Sequence, residues 1–346
     1  MNRRSLIGVF KANLPQFVWL WWALYIGAII FGLAGSAPEW GPLILFLVTA
    51  TIILAIAEFA NTYADRDEDP IFVPSSPLLT GELDAGTAKK AFILQNIVAG
   101  LLLIAMLALT LANNWYDSRY WLIPALAAGW AVGLAYSLPP FRFKETVSGP
   151  FFWSAGFALT AIVAWLAVAP LNDFIIAFVV FWFVVSLPWA LSETKLRKTF
   201  DAFMQGHIQL EEGQSVWGLK TVGFNLSVKT AVAIEAIMGL GAFTLVPIFW
   251  HLGIFPMTLS IALLTLPLAL MILTVVFRLK GPVKNTRKCE QFVGMVMALV
   301  ILSFFGVALS SLVHWGFAIL ACAVFLIGFF LLFRVVHPFG PAYRAL

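Results

Sequence analysis

The chain contains 346 residues, of which 62% are hydrophobic and 11% are charged. Because soluble domains carry about 25% charged residues, this composition excludes a soluble protein and indicates an integral protein of the lipid bilayer. The net charge of +4 is spread among apolar stretches, which excludes a nucleic-acid-binding surface, and two cysteines are too few for a disulfide framework.

Apolar stretches of about 20 residues recur along the chain, and each is long enough to cross the hydrocarbon of a membrane. The sequence predicts ten such helices and no soluble domain between them. They lie near residues 14–33, 41–63, 91–111, 120–138, 150–170, 174–191, 230–250, 255–277, 292–312 and 315–333.

The basic residues test this topology, because the cytoplasmic loops of membrane proteins collect Lys and Arg. If the N-terminus is cytoplasmic, all of the 21 basic residues except Arg119 fall on the cytoplasmic side. This distribution predicts a multi-pass protein of the plasma (inner) membrane with both termini in the cytoplasm. Most acidic residues lie in three cytoplasmic segments, 65–90, 139–149 and 192–229, so the functional site is expected on that face.

Acidic residues follow the second predicted span without a break. Four polar residues share one stripe of a continuing helix, at positions i, i+3, i+7 and i+11: Glu58, Asn61, Asp65 and Asp69. Acids at a membrane face are costly to hold, and Mg²⁺ is typically bound by one or two carboxylates together with substrate phosphates. We therefore predict a Mg²⁺ site here, with a solvated acidic helix end as the alternative.

A second polar segment follows the fourth predicted span. Pro139 and Pro140 end that helix, and we expect them to hold the following chain extended. Arg142 and Lys144, two residues apart in extended chain, would then project to the same side. Two cations in fixed positions would bind a diphosphate, so the segment is predicted to be a diphosphate-binding loop. The alternative is an ordinary cytoplasmic loop, in which basic residues are common.

Together the two segments resemble motifs of the UbiA superfamily of intramembrane prenyltransferases. The motifs are Asn-x-x-x-Asp-x-x-x-Asp after the second span and Tyr-Ser-x-Pro-Pro-x-Arg-x-Lys after the fourth. Residues 76–83 are also similar to the family's following loop, although Ser76 stands where the family has Arg. The resemblance implies an all-α, polytopic transmembrane bundle around a central cavity, with a polar cytoplasmic cap, and the apolar spans predict about ten helices in it.

The family usually has nine spans, one fewer than the ten predicted here, so we expect the last predicted helix to be an addition to the family's core. Residues 1–346 are predicted to form a single membrane domain. Within it, residues 14–312 are the UbiA-like core and residues 313–346 an extra C-terminal helix and tail.

The third segment departs from the family's second acidic motif. Its ending is present at residues 218–221, but other residues stand where the family has Asp, namely His207, Leu210 and Gln214. Glu211 and Glu212 supply the nearest negative charge and are predicted as ligands of a second ion. Glu193 or Asp201 would substitute if residues 195–206 are an insertion.

The resemblance implies Mg²⁺-dependent transfer of a polyprenyl group from a prenyl diphosphate to a hydrophobic acceptor within the bilayer. The implied Mg²⁺ ligands are Asn61, Asp65, Asp69, Glu211 and Glu212. The implied diphosphate-binding residues are Arg66, Arg142, Lys144 and Lys220. The residues implied to act directly in catalysis are Asp65, Asp69 and Tyr136, the last through its ring against an allylic cation.

Two other functions are compatible with the sequence. A terpene cyclase of the same superfamily ionises the same donor and folds the cation onto itself. A non-catalytic relative would bind a prenylated pigment, quinone or lipid, or serve as an assembly subunit for membrane protein partners. The weak third segment favours the non-catalytic alternative, and the two intact motifs favour catalysis. Glu235, inside the seventh span, is predicted to line a substrate pocket.

Overall fold

A computed structural model describes residues 3–66, 76–115, 120–222 and 226–336. The helices are α1 (Arg3–Ala12), α2 (Pro15–Leu33), α3 (Trp40–Ala64), α4 (Ala85–Asn113), α5 (Leu122–Ser137), α6 (Gly149–Leu166), α7 (Asp173–Leu191), α8 (Lys198–Met204), α9 (Val228–His251), α10 (Met257–Leu264), α11 (Leu266–Lys280), α12 (Thr286–Ser310) and α13 (Trp315–Val336). The described residues contain no β-strand, only an isolated bridge between Lys220 and Ser227. The prediction of an all-α polytopic membrane protein is therefore confirmed.

The predicted spans coincide with the helices. In the part of the chain that the structure describes, nine helical segments are long and apolar enough to cross a membrane. The predicted span at residues 120–138 is the exception, because α5 has only 16 residues and extends for about 24 Å. It ends just before Pro139 and Pro140, which cannot continue a helix.

Two spans have irregular backbone. The seventh helix continues past Leu191 through a π-helical turn, Ser192–Arg197, into α8. The predicted span at residues 255–277 is divided at Thr265, where the backbone leaves the helical region between α10 and α11. Pro267 follows within the first turn of α11 and has no N–H to carry the helix across the break.

The chain divides into two compact units. Unit 1 contains Met1–Phe141, Leu159–Leu171 and Ala308–Leu346, and unit 2 contains Arg142–Ala158 and Asn172–Val307. Helix α13, at the C-terminal end of the described residues, belongs to unit 1. Whether residues 1–346 act as a single domain with a core at 14–312 stays a prediction.

In unit 1, α3 is the central element. Gly133 of α5 lets that helix approach Ala57 closely, and Phe59 stacks on Phe92 of α4 with ring centroids 5.9 Å apart. Helix α13 packs on α2, where Trp19 Nε1 donates a hydrogen bond to the Phe325 carbonyl at 3.0 Å. The contacts of α3 with α4 and α5 lie near its polar end, where the predicted metal ligands begin.

In unit 2, α7 packs along α9 and also contacts α12. Phe181 meets Phe243 of α9 edge to face, and Phe178 stacks on Phe304 of α12 with ring centroids 3.9 Å apart. Gly239 of α9 lies against the Met271 side chain of α11, so a larger residue there would require the flexible end of Met271 to move. This packing holds the π-helical turn and the polar segments that follow α7.

Candidate functional site

The first part of the site is the polar end of α3, in unit 1. The helix ends at Asp65, whose backbone N–H donates to the Asn61 carbonyl at 3.0 Å. Asn61 and Asp65 are four residues apart, so both side chains lie on one face, and both are half-buried. Ser137 Oγ, at the end of α5, lies 3.5 Å from Asn61 Oδ1. Asp69, the third predicted ligand, lies outside the described residues.

Tyr136 and Arg66 are in the same unit. Tyr136 occupies the last turn of α5, directly before Ser137, and is half-buried. The Arg66 guanidinium lies 5.4 Å from the centre of the Tyr63 ring, and that ring stacks on Phe92. The diphosphate-binding role of Arg66 stays a prediction.

The loop that follows the first acidic motif is held by α1, a helix that the sequence reading did not predict. Lys11 Nζ pairs with Glu82 at 2.8 Å, and Arg4 donates to the Thr80 carbonyl at 3.3 Å. Asp84 caps α4 by accepting the Thr87 N–H at 2.8 Å. Hydrogen bonds from the side chain and then the backbone of Thr87 lower the pKa of the Asp84 carboxyl. The N-terminal helix therefore fixes the described end of this loop.

The segment after α5 contradicts the predicted extended chain. It turns instead, with Arg142 in the left-handed region (φ 44°) and a 3₁₀ turn at Phe143–Glu145. The Phe143 ring stacks on Phe152 of α6 at 3.8 Å, and Gly149 lets the chain approach the Phe143 carbonyl closely. These contacts explain the turn, because they bury the apolar residue between the two cations.

The predicted same-side projection of Arg142 and Lys144 is therefore wrong. Arg142 Nε pairs with Glu145 at 2.7 Å at a partly exposed position, whereas Lys144 is buried, with 6% of its surface exposed. Lys195, from the π-helical turn, is also buried, and its Nζ donates to the Lys144 carbonyl at 2.9 Å. Two buried lysines thus lie in neighbouring segments of unit 2, and sequence reasoning missed the second of them.

The third segment is exposed mainly at residues 204–215. Glu211 and Glu212 lie on the surface in a turn, and Lys220 is exposed beside its bridge to Ser227. Gln214, at a position where the family has Asp, closes the loop by donating from Nε2 to the Gly218 carbonyl at 3.0 Å. Glu193, the alternative ligand from the sequence, pairs with Arg197 at 3.0 Å. None of these contacts tests the predicted ligand role of Glu211 and Glu212.

A buried charge network in unit 2 involves Glu235. Its carboxylate pairs with Arg278 Nε at 3.1 Å, and each side chain is only 1% exposed. Arg278 Nη2 also donates to Ser192 Oγ at 2.6 Å. Glu235 is therefore the partner of a buried guanidinium and not the pocket-lining group expected from sequence. The sequence signal that could have identified this pair is Arg278, a basic residue near the end of the span that follows the one containing Glu235.

The donor set at the end of α3 fits Mg²⁺. The described residues contain no group of three or more His, Cys, Asp or Glu side chains placed to hold a metal ion. Asn61 and Asp65 nevertheless offer two hard oxygen donors on one helix face. Because Mg²⁺ commonly takes most of its remaining ligands from substrate phosphates and water, two or three protein oxygens suffice.

Comparisons with known proteins identify the family and the fold of the chain. The profile of the UbiA prenyltransferase family matches residues 20–296. No curated protein shows a significant match in sequence.

Two solved structures show the same fold. One is a UbiA homolog from Archaeoglobus fulgidus bound to DMAPP and Mg²⁺, with 17% identity, a TM-score of 0.56, and coverage of 87% of this chain and 98% of that one. The other is a digeranylgeranylglyceryl phosphate synthase in membranes, with 22% identity, a TM-score of 0.53, and coverage of 86% and 98%. The family match covers most of the chain, including the polar end of α3, the loop after α5 and the third segment. The chain therefore belongs to the UbiA prenyltransferase family.

Proposed function

We propose that this protein transfers a polyprenyl group from a prenyl diphosphate to a hydrophobic, electron-rich acceptor within the membrane, with Mg²⁺ as cofactor. The observation that carries the proposal is the Asn61–Asp65 pair on one face at the polar end of an apolar helix, inside the region matched by the family. The A. fulgidus homolog bound to DMAPP and Mg²⁺ supports the choice of donor and ion, at the level of a relative.

Each predicted residue then has a chemical role. Asn61, Asp65 and Asp69 would hold Mg²⁺, which, when bound, neutralises charge on the diphosphate leaving group. Arg142, Lys144, Arg66 and Lys220 would contact diphosphate oxygens. Glu211 and Glu212 would hold a second ion. Tyr136 would present its ring face to the positive charge that develops on the prenyl chain.

The reaction needs charge stabilisation more than covalent catalysis by the protein. The C–O bond to diphosphate breaks, the acceptor's π electrons attack the allylic carbon, and the acceptor loses a proton. Fixed cations aimed at the leaving group stabilise its growing charge, and they act most strongly where water is excluded. Lys144 meets that second condition because it is buried.

Lys144→Ala should weaken binding of a non-ionisable farnesyl thio-diphosphate by about 10–100-fold, since a charge-assisted hydrogen bond contributes about 1.5–3 kcal/mol. The substitution leaves the hydrogen bond from Lys195 in place, because Lys195 donates to the backbone carbonyl of residue 144 and not to its side chain. Affinity can be measured by calorimetry in detergent, with the exposed Lys229→Ala as matched control. Equal affinity in both variants would show that the loop only anchors the protein at the membrane face.

A non-catalytic binding function is the second candidate. The observation that favours it is Gln214, an amide engaged with the Gly218 carbonyl at a position where the family has a carboxylate. A purified protein that retains a prenylated lipid and releases no diphosphate from any short or medium prenyl donor would establish it. A cyclised product formed without an acceptor would instead identify a terpene cyclase.

We also propose that both termini and the site face the cytoplasm in the plasma (inner) membrane. In a background without the native cysteines, His251→Cys, at the last residue of α9, should react with an impermeant maleimide added to intact cells. Lys284→Cys, between α11 and α12, should react only after permeabilisation; both positions are exposed. Labelling of Lys284→Cys in intact cells would contradict the proposed orientation and indicate the opposite one.

A further inference from the structure

A π-helical turn in unit 2 buries a lysine that the proposed function does not use. The turn, Ser192–Arg197, continues α7, and Lys195 within it has only 2% of its surface exposed. A buried amine is costly unless a hydrogen-bond acceptor replaces water. The Lys144 carbonyl supplies such an acceptor, 2.9 Å from Lys195 Nζ. This hydrogen bond needs only an N–H, so it forms whether or not the amine carries a charge.

The backbone that carries Lys195 is fixed by side chains on both flanks. At the first residue of the turn, Ser192 Oγ accepts a hydrogen bond from Arg278 Nη2 at 2.6 Å. At its last residue, Arg197 Nη1 pairs with Glu290 of α12 at 3.2 Å. π-helical turns are rare, and they occur frequently at functional sites. The anchored turn therefore directs the Lys195 side chain with little freedom.

Thr199, one turn further on, connects Lys195 to the later part of the third segment. Its Oγ1 donates to the Lys195 carbonyl at 2.7 Å and accepts the Val222 N–H at 2.9 Å. Val222 directly follows residues 218–221, where the ending of the family's second acidic motif is present. Hydrogen bonds thus connect the residue after that ending, through the π-helical turn, to Lys144.

The 3₁₀ turn that contains Lys144 is held between Lys195 and α6. A Cβ added at Gly149, the first residue of α6, would lie 2.8 Å from the Phe143 carbonyl oxygen and 3.2 Å from the Lys144 carbonyl oxygen. Lys195 contacts the same Lys144 carbonyl from the π-helical turn. Because a peptide unit is planar, fixing its carbonyl also fixes the backbone that carries the Lys144 side chain.

We propose that Lys195 is a positioning residue for donor binding: its hydrogen bond to the Lys144 carbonyl holds the Lys144 side chain in the orientation that binds the diphosphate of the prenyl donor. The inference rests on the proposed function and adds a residue that acts through Lys144, without contacting the donor itself. A side chain held in place before binding loses less conformational freedom when the diphosphate arrives, so the donor binds more tightly.

A double-mutant cycle on donor affinity, measured by calorimetry in detergent, tests this indirect role. Lys195→Met keeps the length of the side chain and removes its donor, so binding of farnesyl thio-diphosphate should weaken about three- to tenfold, as for loss of one hydrogen bond. In the Lys144→Ala background the same substitution should change affinity by less than about twofold, because the side chain that Lys195 positions is already absent. Lys229→Met, at an exposed position, should leave affinity unchanged in both backgrounds. Equal losses from Lys195→Met in the two backgrounds would show that Lys195 does not act through Lys144 and would overturn the proposal.

Gly149→Ala displaces the same turn from its other side and leaves Lys195 intact. The added methyl group would meet backbone atoms of the turn, so the turn must shift. Binding of farnesyl thio-diphosphate should weaken about three- to tenfold, and this loss should also disappear in the Lys144→Ala background. A loss that persists without the Lys144 side chain would contradict the role of the turn in placing it.

Hydrogen exchange in the protein without donor reports the position of the turn itself. The amides of Glu145 and Thr146 donate to the Arg142 and Phe143 carbonyls at 3.0 and 2.9 Å, and Lys195→Met should raise their exchange rates about threefold or more. Unchanged exchange rates would overturn the inference while leaving the proposed function intact. If the wild-type protein binds no farnesyl thio-diphosphate, the proposed function fails, and the inference that rests on it fails as well.

Discussion

Asp65→Asn should reduce Mg²⁺-dependent release of diphosphate from a prenyl donor by at least about 100-fold, because even outer-sphere changes at metal sites cost about 10–100-fold. The variant keeps the size and one oxygen of Asp but loses the negative charge that attracts the ion. The fold should persist, since Asp65 ends α3 through its backbone N–H, which Asn retains. Diphosphate release is measured with a coupled phosphate assay across a Mg²⁺ titration.

Two further variants sharpen this result. Asp173→Asn, an exposed acid at the start of α7, is the matched control and should leave diphosphate release unchanged. The double change Glu211→Gln with Glu212→Gln should remove only a weaker second ion, counted with Mn²⁺ by electron paramagnetic resonance. If Asp65→Asn retains full turnover while remaining folded, the acidic end of α3 is a solvated helix end and has no metal role.

The fold was predictable wherever an apolar run by itself is long enough to cross a membrane. Every predicted span has a helix, since burial in lipid requires the backbone to satisfy its own hydrogen bonds. The N-terminal helix α1 was missed because Arg3, Arg4 and Lys11 interrupt any apolar run there. The contact that fixes α1 is with a residue distant in sequence. Gly8 of α1 lies against Leu83, in the loop that precedes α4.

The candidate site was predictable from sequence where the proposed metal ligands are close together in the chain. The spacing of Asn61 and Asp65 places them on one face without any tertiary information. The conformation around Arg142 and Lys144 was not predictable, because it depends on Phe143 packing against α6. Lys195 likewise lies beside Lys144 through a contact with a segment some 50 residues earlier, which no local pattern reveals.

The ion pair between Glu235 and Arg278 was likewise not predictable from local sequence. Breaking this pair has the largest expected effect on stability. Arg278→Met should destabilise the protein by about 3–5 kcal/mol, because it leaves the Glu235 carboxylate buried without its partner. The pair is 1% exposed on both sides, so water cannot replace the guanidinium. Ser192 Oγ would lose its 2.6 Å contact as well, at the first residue of the π-helical turn. The thermal unfolding midpoint in detergent should fall correspondingly.

A compensating substitution distinguishes an unpaired charge from simple loss of packing. Glu235→Leu combined with Arg278→Met replaces the whole pair by apolar side chains and should recover most of the stability, because the desolvation cost of both charges is removed. Arg278→Lys should lie between these variants, since a lysine keeps the charge but loses the fork that reaches Glu235 and Ser192 together. If the double variant unfolds as easily as Arg278→Met, the contribution of Arg278 comes from its packing, including its contact with the Phe200 ring at 5.9 Å, and not from its charge.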